Sequence, residues 1–346
     1  MKMAEKKSNV SANITIKDIA RLAGVSIGTV SRTINETGYV ADETRKKITK
    51  VLEDTGFKPN TAAVSMKIKK SSAVGIIVPE INNPFLSELV VAIEDILSSE
   101  NLSILLCNSK YRMDKEIGFV EDLIRRNAEG LIFVSSELQD EKVLKKIKNS
   151  LKVVTIGSKT ADFDCVNFTD WQAAFEMVEY LISLGHRKIA CIGSNSISWP
   201  TMERLRGYAD ALTKNGIARR EEYILTAQDN INTGYARTKQ LLGLKEPPTA
   251  IFAINDFYAI NSYIAVREKR LSVGADISIA GFDDITMASL VNPPLTTVKC
   301  STSALAEFAT DLLLKRIRGN ACDEPKEVLL PAPIIKREST QCCKEI

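Results

Sequence analysis

From Ser72 onward the chain alternates short apolar, β-branched runs with longer stretches whose apolar positions recur every three or four residues. That alternation is the pattern of strands joined by helices into a parallel sheet. Strands are expected at Ala73–Pro79, Ser103–Ser109, Gly130–Ser135, Lys152–Gly157 and Cys165–Phe168, and a second set at Lys188–Ser194, Tyr223–Thr226, Ala250–Asn255, Ile277–Phe282 and Thr296–Cys300. Helices are expected at Leu86–Ser99, Lys115–Arg126, Glu141–Lys148, Trp171–Leu184, Met202–Asn215, Thr233–Leu242, Phe257–Lys269 and Ala304–Arg318. The strands are apolar almost throughout, which asks for helices on both sheet faces. Ten strands suit two doubly wound α/β subdomains better than one, divided near Cys165. A ligand cleft is then expected between them, lined by the carboxyl ends of the strands.

Residues 15–60 read differently, as three short helices without a strand. Thr15 can cap a helix beginning at Ile16, Gly24 stops it, and Ser26 can cap the next, Ile27 to Ile34. Ile16, Ile19, Ala20 and Ala23, then Val30 and Ile34, recur at helical spacing and face one core, joined by Ile48, Val51 and Leu52 of a third helix from about Asp42 to Thr55. Small Ala20 and Gly24 let two helices cross closely, as a helix-turn-helix requires. The faces left over on the second helix carry Ile27, Gly28, Thr29, Ser31 and Arg32. A short helix of this kind fits the major groove, where Arg32 can pair with guanine, Ile27 can touch a thymine methyl, and the hydroxyls suit phosphates.

Charge supports that reading. Residues 1–72 carry 14 Lys/Arg against 7 Asp/Glu, whereas the remaining residues carry 32 against 36. A basic segment joined to a mildly acidic body is a footprint of nucleic-acid binding. The seven cysteines are scattered without Cys-x-x-Cys spacing, which argues against a disulfide framework or a zinc knuckle. Only one histidine, His186, could serve a hydrolase or a metal site, and a structural role in its helix-to-strand turn is the better reading. Asp283 and Asp284 are adjacent at a strand end and point to opposite faces, so they do not form a paired acid/base site. No Gly-x-Gly-x-x-Gly or Walker loop follows any strand. No enzyme activity, catalytic residue, metal or cofactor is therefore expected. No apolar run is long enough for a membrane span, and the Lys-rich start lacks a secretory apolar core, so a cytoplasmic protein is expected.

At this point the sequence resembles the lactose/galactose-repressor family of bacterial transcription factors. The matching residues run Thr15-Ile16-Lys17-Asp18-Ile19-Ala20, Ala23-Gly24-Val25-Ser26, Thr29-Val30-Ser31-Arg32, Ile34-Asn35, Val40, Thr44-Arg45, Gly56-Phe57, Pro59-Asn60 and Ala62-Ala63. They continue with Val74-Gly75, Asn82-Asn83-Pro84-Phe85, Leu184 to Ala190, Arg204, Gly207-Tyr208, Asn255-Asp256, Ile279 to Asp284, Pro294 to Val298 and Arg337 to Thr340. The resemblance implies a helix-turn-helix headpiece (1–60), a hinge helix and linker (61–72), and a periplasmic-binding-protein-like core. The core is expected to divide into an N-subdomain (73–164 and 300–326) and a C-subdomain (165–299 and 327–340).

The resemblance also implies partners and sites: a homodimer on a palindromic double-stranded operator, and a small effector in the interlobe cleft. Ile27, Gly28 and Arg32 match the base-reading positions, and Met66 the minor-groove wedge of the hinge helix, where an adaptable apolar side chain can still kink a base step. Gly28 offers no side chain, so specificity there must come from Ile27, close backbone approach or DNA shape. Thr15, Ser26, Thr29, Ser31, Asn35, Tyr39, Thr44 and Asn60 match backbone-contact positions. Phe85, Arg204, Asn255, Asp256 and Asp283 match the effector pocket. Trp199 follows a strand and could stack on a sugar, while Trp171 more readily packs a loop on a helix. An arginine, carboxylates and amides around an apolar platform suit a sugar or sugar phosphate. The rival is a solute-binding sensor with no DNA role of its own, which residues 15–60 and the missing secretory signal oppose.

Overall fold

In the computed structural model the described residues are 14–34, 37–57, 72–135, 141–227, 232–322 and 324–344. The chain divides into a small helical unit, up to Lys69, and a large α/β unit.

The small unit contains α1 (Ile16–Ala23), α2 (Ile27–Ile34) and α3 (Asp42–Thr55). Thr15 and Asp18 cap the start of α1 reciprocally, Asp18 N–H donating to the Thr15 hydroxyl and Thr15 N–H to the Asp18 carboxylate, which satisfies two backbone donors that a helix start leaves open. Gly24 takes φ 66°, a left-handed geometry that ends the helix and that a side chain would resist. Ile19, Ala20, Ala23, Val30 and Ile48 are buried together, with Ile16, Ile34, Val51 and Leu52 packed around them. These are the positions the periodicity assigned to the core.

The large unit holds two parallel sheets. The first contains β1 (Ala73–Val78), β2 (Ser103–Asn108), β3 (Gly130–Val134), β4 (Lys152–Ile156), β5 (Asp164–Phe168) and β11 (Glu327–Leu330), in the order β11-β5-β4-β3-β1-β2. Its residues alternate between two apolar layers, as a pleated strand dictates. Val74, Ile76, Ile132, Val134, Val154 and Ile156 meet α4 (Pro84–Ser99) and α11 (Thr302–Ile317). Ile77, Leu131, Phe133 and Val153 meet α5 (Met113–Arg125) and α6 (Glu141–Ser150) on the other face. The second sheet, in the order β7-β6-β8-β9, contains β6 (Ile189–Ser194), β7 (Ile224–Ala227), β8 (Ala250–Ala253) and β9 (Ser278–Ala280). It is flanked by the packed pairs α7 (Asp170–Ser183) with α8 (Trp199–Lys214) and α9 (Thr233–Leu241) with α10 (Asp256–Glu268).

Three details depart from the sequence expectation. The run around Cys165 does not open the second sheet: β5 pairs with β4 and β11, so the first sheet extends through Phe168. Glu327–Leu330, assigned above to the second subdomain, is an edge strand of the first. Thr297–Val298 forms an antiparallel ladder (β10) with Ile334–Ile335 (β12), and only the isolated bridges Ala280–Thr296 and Asp283–Lys299 link it to the β9 segment. For β11 and β10 the pairing partners lie far apart in the chain, and in all three cases a short apolar run does not encode which sheet it joins. The chain consequently crosses between the lobes after β5, between β10 and α11, and between β11 and β12.

Candidate functional site

In the small unit, α2 turns Val30 and Thr33 inward and leaves Ile27 45% exposed with Gly28 and Arg32 also outside. The Ser26 hydroxyl accepts from Thr29 N–H at 3.2 Å and lies 2.9 Å from the Thr29 hydroxyl, fixing the start of the helix. Arg32 Nε donates to the Gly28 carbonyl one turn back, at 3.2 Å. This steadies the aliphatic stem along the exposed face, and the two terminal nitrogens have no partner among the described residues. Tyr39 is 90% exposed. Thr15 is exposed, yet its hydroxyl is engaged by Asp18 at 2.6 Å, so what it presents outward is mainly the helix start. Ser31 and Thr44 are half-buried. Asn35, Asn60, Met66 and the expected hinge segment lie outside the described residues.

In the large unit, a cleft opens between the carboxyl ends of the two sheets. Arg204, on α8, lies at its floor. Its Nε donates to Asp170 Oδ1 at 2.8 Å, and Nη1 donates to the Ile254 carbonyl at 2.7 Å and to Asp283 Oδ1 at 3.1 Å. The guanidinium carbon lies 3.7 Å from the Phe282 ring centre. All three ionic side chains are nearly buried. Burial pushes Asp283 up to about 7, helped by Asp170 and opposed by Arg204. Burial also raises Asp170 against the pull of Arg204. Burial alone would depress the guanidinium, but the two carboxylates hold it above its ordinary range.

Phe85, Asn83, Asn255 and Ser198 line the same cleft. Asn83 and Asn255 each cap a helix through the amide oxygen, accepting from Phe85 N–H at 3.0 Å and Tyr258 N–H at 2.8 Å. Their amide nitrogens have no partner among the described residues. The cleft thus presents amide donors and Arg204 Nη2 beside the second oxygens of Asp170 and Asp283. That mixture serves hydroxyl groups, which both donate and accept. The cavity is small, about 90 Å³, against the ~300–1,000 Å³ of usual ligand sites. The lobes touch around it. Thr286 donates to Glu88 through N–H and hydroxyl at 3.3 and 3.0 Å. A β-carbon on Gly157, whose φ is 67°, would fall 3.1 Å from Pro200 Cγ.

Of the six expected effector residues, the structure gathers Phe85, Arg204, Asn255 and Asp283 at the cleft. The other two need correction. Asp256 is fully buried beneath it, accepting from the Thr297 hydroxyl at 2.5 Å and Ile285 N–H at 2.9 Å. It pins the loop after β9 rather than facing a ligand, and burial, with Asp283 nearby, raises it well above the ordinary carboxylate range. Trp199 faces a separate groove, with Lys159 Nζ 5.1 Å from its ring centre. Sequence reasoning missed Asp170, for which the available signal was its position two residues beyond a strand end. Trp171 packs on Phe175 and donates to Asp210 at 2.8 Å. His186 is buried and bound to Thr249, Ser278 and the Gln341 carbonyl.

A helix-turn-helix unit with an exposed Ile/Arg face, followed by a two-lobed α/β core with a polar cleft, defines the class of DNA-binding regulators. Residues 15–60 match the family model for bacterial regulatory proteins of the lacI family, and 178–340 match a periplasmic binding protein-like domain. Catabolite control protein A of Priestia megaterium is 34% identical over 333 residues, covering 95% of this chain and 100% of that protein. The structure of the Lac repressor dimer bound to operator and the anti-inducer ONPF superposes with a TM-score of 0.84 at 28% identity, over 95% of this chain and 99% of that one. A ribose-bound LacI family regulator from Enterococcus faecium superposes at 0.72 with 31% identity, over 79% and 100%. The chain belongs to the lacI family of bacterial regulatory proteins: it is a DNA-binding transcriptional regulator and not an enzyme. No helix among the described residues is long and apolar enough to cross a membrane.

Proposed function

We propose that the protein acts in the cytoplasm as a homodimeric repressor. Two heads bind a palindromic operator, and a small polyhydroxylated effector, a sugar or sugar phosphate, sets the affinity from the interlobe cleft. Ile27 and Arg32 read base edges, Gly28 allows close backbone approach, and Met66 wedges the minor groove from the hinge segment. Ser26, Thr29, Ser31, Asn35, Tyr39, Thr44 and Asn60, with the helix start at Thr15, hold the phosphates. Phe85 supplies an apolar face to the effector, while Arg204, Asp170, Asp283, Asn83 and Asn255 meet its hydroxyls.

The observation that carries this reading is the exposure of Ile27 and Arg32 on one face of a helix whose opposite face is fully buried. Coupling follows from the lobe contacts: a ligand that favours one separation of the lobes shifts how the two hinge segments of a dimer are spaced, by no more than its differential affinity for the two states. An electrophoretic shift series tests it, comparing palindromic duplexes selected from a random pool with unselected duplex, with and without a panel of sugars and sugar phosphates. Selected palindromes are expected to bind at least ~10³-fold more tightly, with one class of sugar changing that ratio. No preference over unselected duplex refutes the DNA reading, and no response to any sugar refutes the effector reading.

A further inference from the structure

A second groove of about 850 Å³ lies between the lobes, outside the point where Gly157 meets Pro200. The first lobe contributes Phe163, Ser158 and Lys159, and the second Trp199 and Met202. Its apolar surface is open: Met202 is 52% exposed and the neighbouring Ile197 56%. The ionic lining is three cations against one carboxylate. Arg206 is paired with Glu203 at 2.8 Å and Arg219 with Glu221 at 3.2 Å. Lys159 makes no ion pair within 4 Å among the described residues; it stands 5.1 Å from the Trp199 ring centre across the lobes and acts on Glu203 only through its field. Beside it the Ser158 backbone is held by the Asn167 amide in both directions. With both arginines paired, the groove keeps one cation in excess, set on an aromatic platform.

We infer that this groove is a second effector site, taking a small organic anion with an apolar or planar body. The body lies against Trp199, Met202 and Phe163, and the anionic group meets Lys159. Because both lobes supply the lining, the occupant favours the lobe separation seen here. It must then strengthen binding of any ligand that prefers the same separation in the inner cleft, and by the same factor in reverse.

The full-length protein carrying Trp171→Phe keeps Trp199 as its only tryptophan. Phenyl phosphate titrated into it, followed by tryptophan emission and by calorimetry, should bind saturably, at least ~10-fold more tightly than benzyl alcohol or inorganic phosphate. Lys159→Gln, a change on an exposed loop residue, should weaken phenyl phosphate at least ~10-fold while the melting temperature stays within a degree or two. No saturable signal by either method overturns the inference. So does equal affinity for the charged and uncharged probes, or affinity unaltered by Lys159→Gln. The operator and sugar assays above stand or fall separately from these outcomes.

Discussion

Replacing Asp283 with asparagine isolates one buried ionisation. Two carboxylates share one guanidinium at the cleft floor, so the ionised cluster is one negative charge in excess within a largely dry site. Burial is the main reason that Asp283 titrates near 7 instead of at 3.8. The folded carboxyl therefore holds its proton more tightly than the unfolded one. Its stabilising contribution is complete below about pH 4 and is lost as pH rises to about 7. At ~1.4 kcal/mol per pH unit, the whole interval is worth about 4 kcal/mol. An asparagine at this position keeps an oxygen for Arg204 Nη1 but has nothing to ionise. The stability of the parent minus that of Asp283→Asn should thus fall by up to about 4 kcal/mol between pH 4 and 7 and stay level above. Urea unfolding of both proteins at half-unit pH steps measures the difference; the subtraction removes the groups remote from the cleft, while Asp170 and Asp256, which Asp283 influences, stay in it. A difference independent of pH, or one that grows with pH, refutes the account of Asp283 as a strained buried acid.

Four further substitutions test other links. Arg32→Ala should cost about 1–3 kcal/mol of operator affinity and relax preference at one base pair per half-site; equal weakening on every sequence would reassign Arg32 to a phosphate. Thr15→Ala removes the cap of α1 and should destabilise the head by about 1 kcal/mol in its own melting transition; an unchanged transition would show that the capping box adds nothing. Gly157→Ala meets both a left-handed backbone and Pro200, so effector affinity should fall with a stability loss of about 1–2 kcal/mol. A variant that binds and melts like the parent would remove the contact from the closing mechanism. Arg316→Met leaves Asp164 buried without its two charged hydrogen bonds of 2.7 and 2.8 Å and should cost about 3–5 kcal/mol in urea unfolding. Restoring less than half of that by adding Asp164→Asn would place the loss elsewhere.

Much of the architecture was legible because the two lobes use ordinary periodicities. The strands of the first sheet alternate cleanly between layers, Ile76 facing one and Ile77 the other. The head was legible for the same reason, with Val30 inside and Ile27 outside one short helix. What could not be read was allegiance. Asp164–Phe168 and Glu327–Leu330 are too short to carry a partner's address, and they become neighbours across more than 150 residues because α11 and the Arg316–Asp164 pair bring them together.

The site obeyed a similar limit. The rule that ligands collect beyond strand ends points to one cleft, yet three carboxylates satisfy it nearly equally: Asp170, Asp256 and Asp283. Their fates are decided by side-chain direction. Asn255 uses its oxygen to cap α10 and leaves its nitrogen at the cleft, whereas the next residue turns under the loop to meet Ile285 and Thr297. Asp170 reaches Arg204 from the start of a different helix. A one-residue step around a helix start thus separates a cleft-facing group from a structural one, just as it separates Trp199 from Ser198 and Pro200. The chemistry of the cleft depends less on which residues follow the strands than on which of them Arg204 can reach, and that is fixed only once α7, α8 and the loop after β9 are packed.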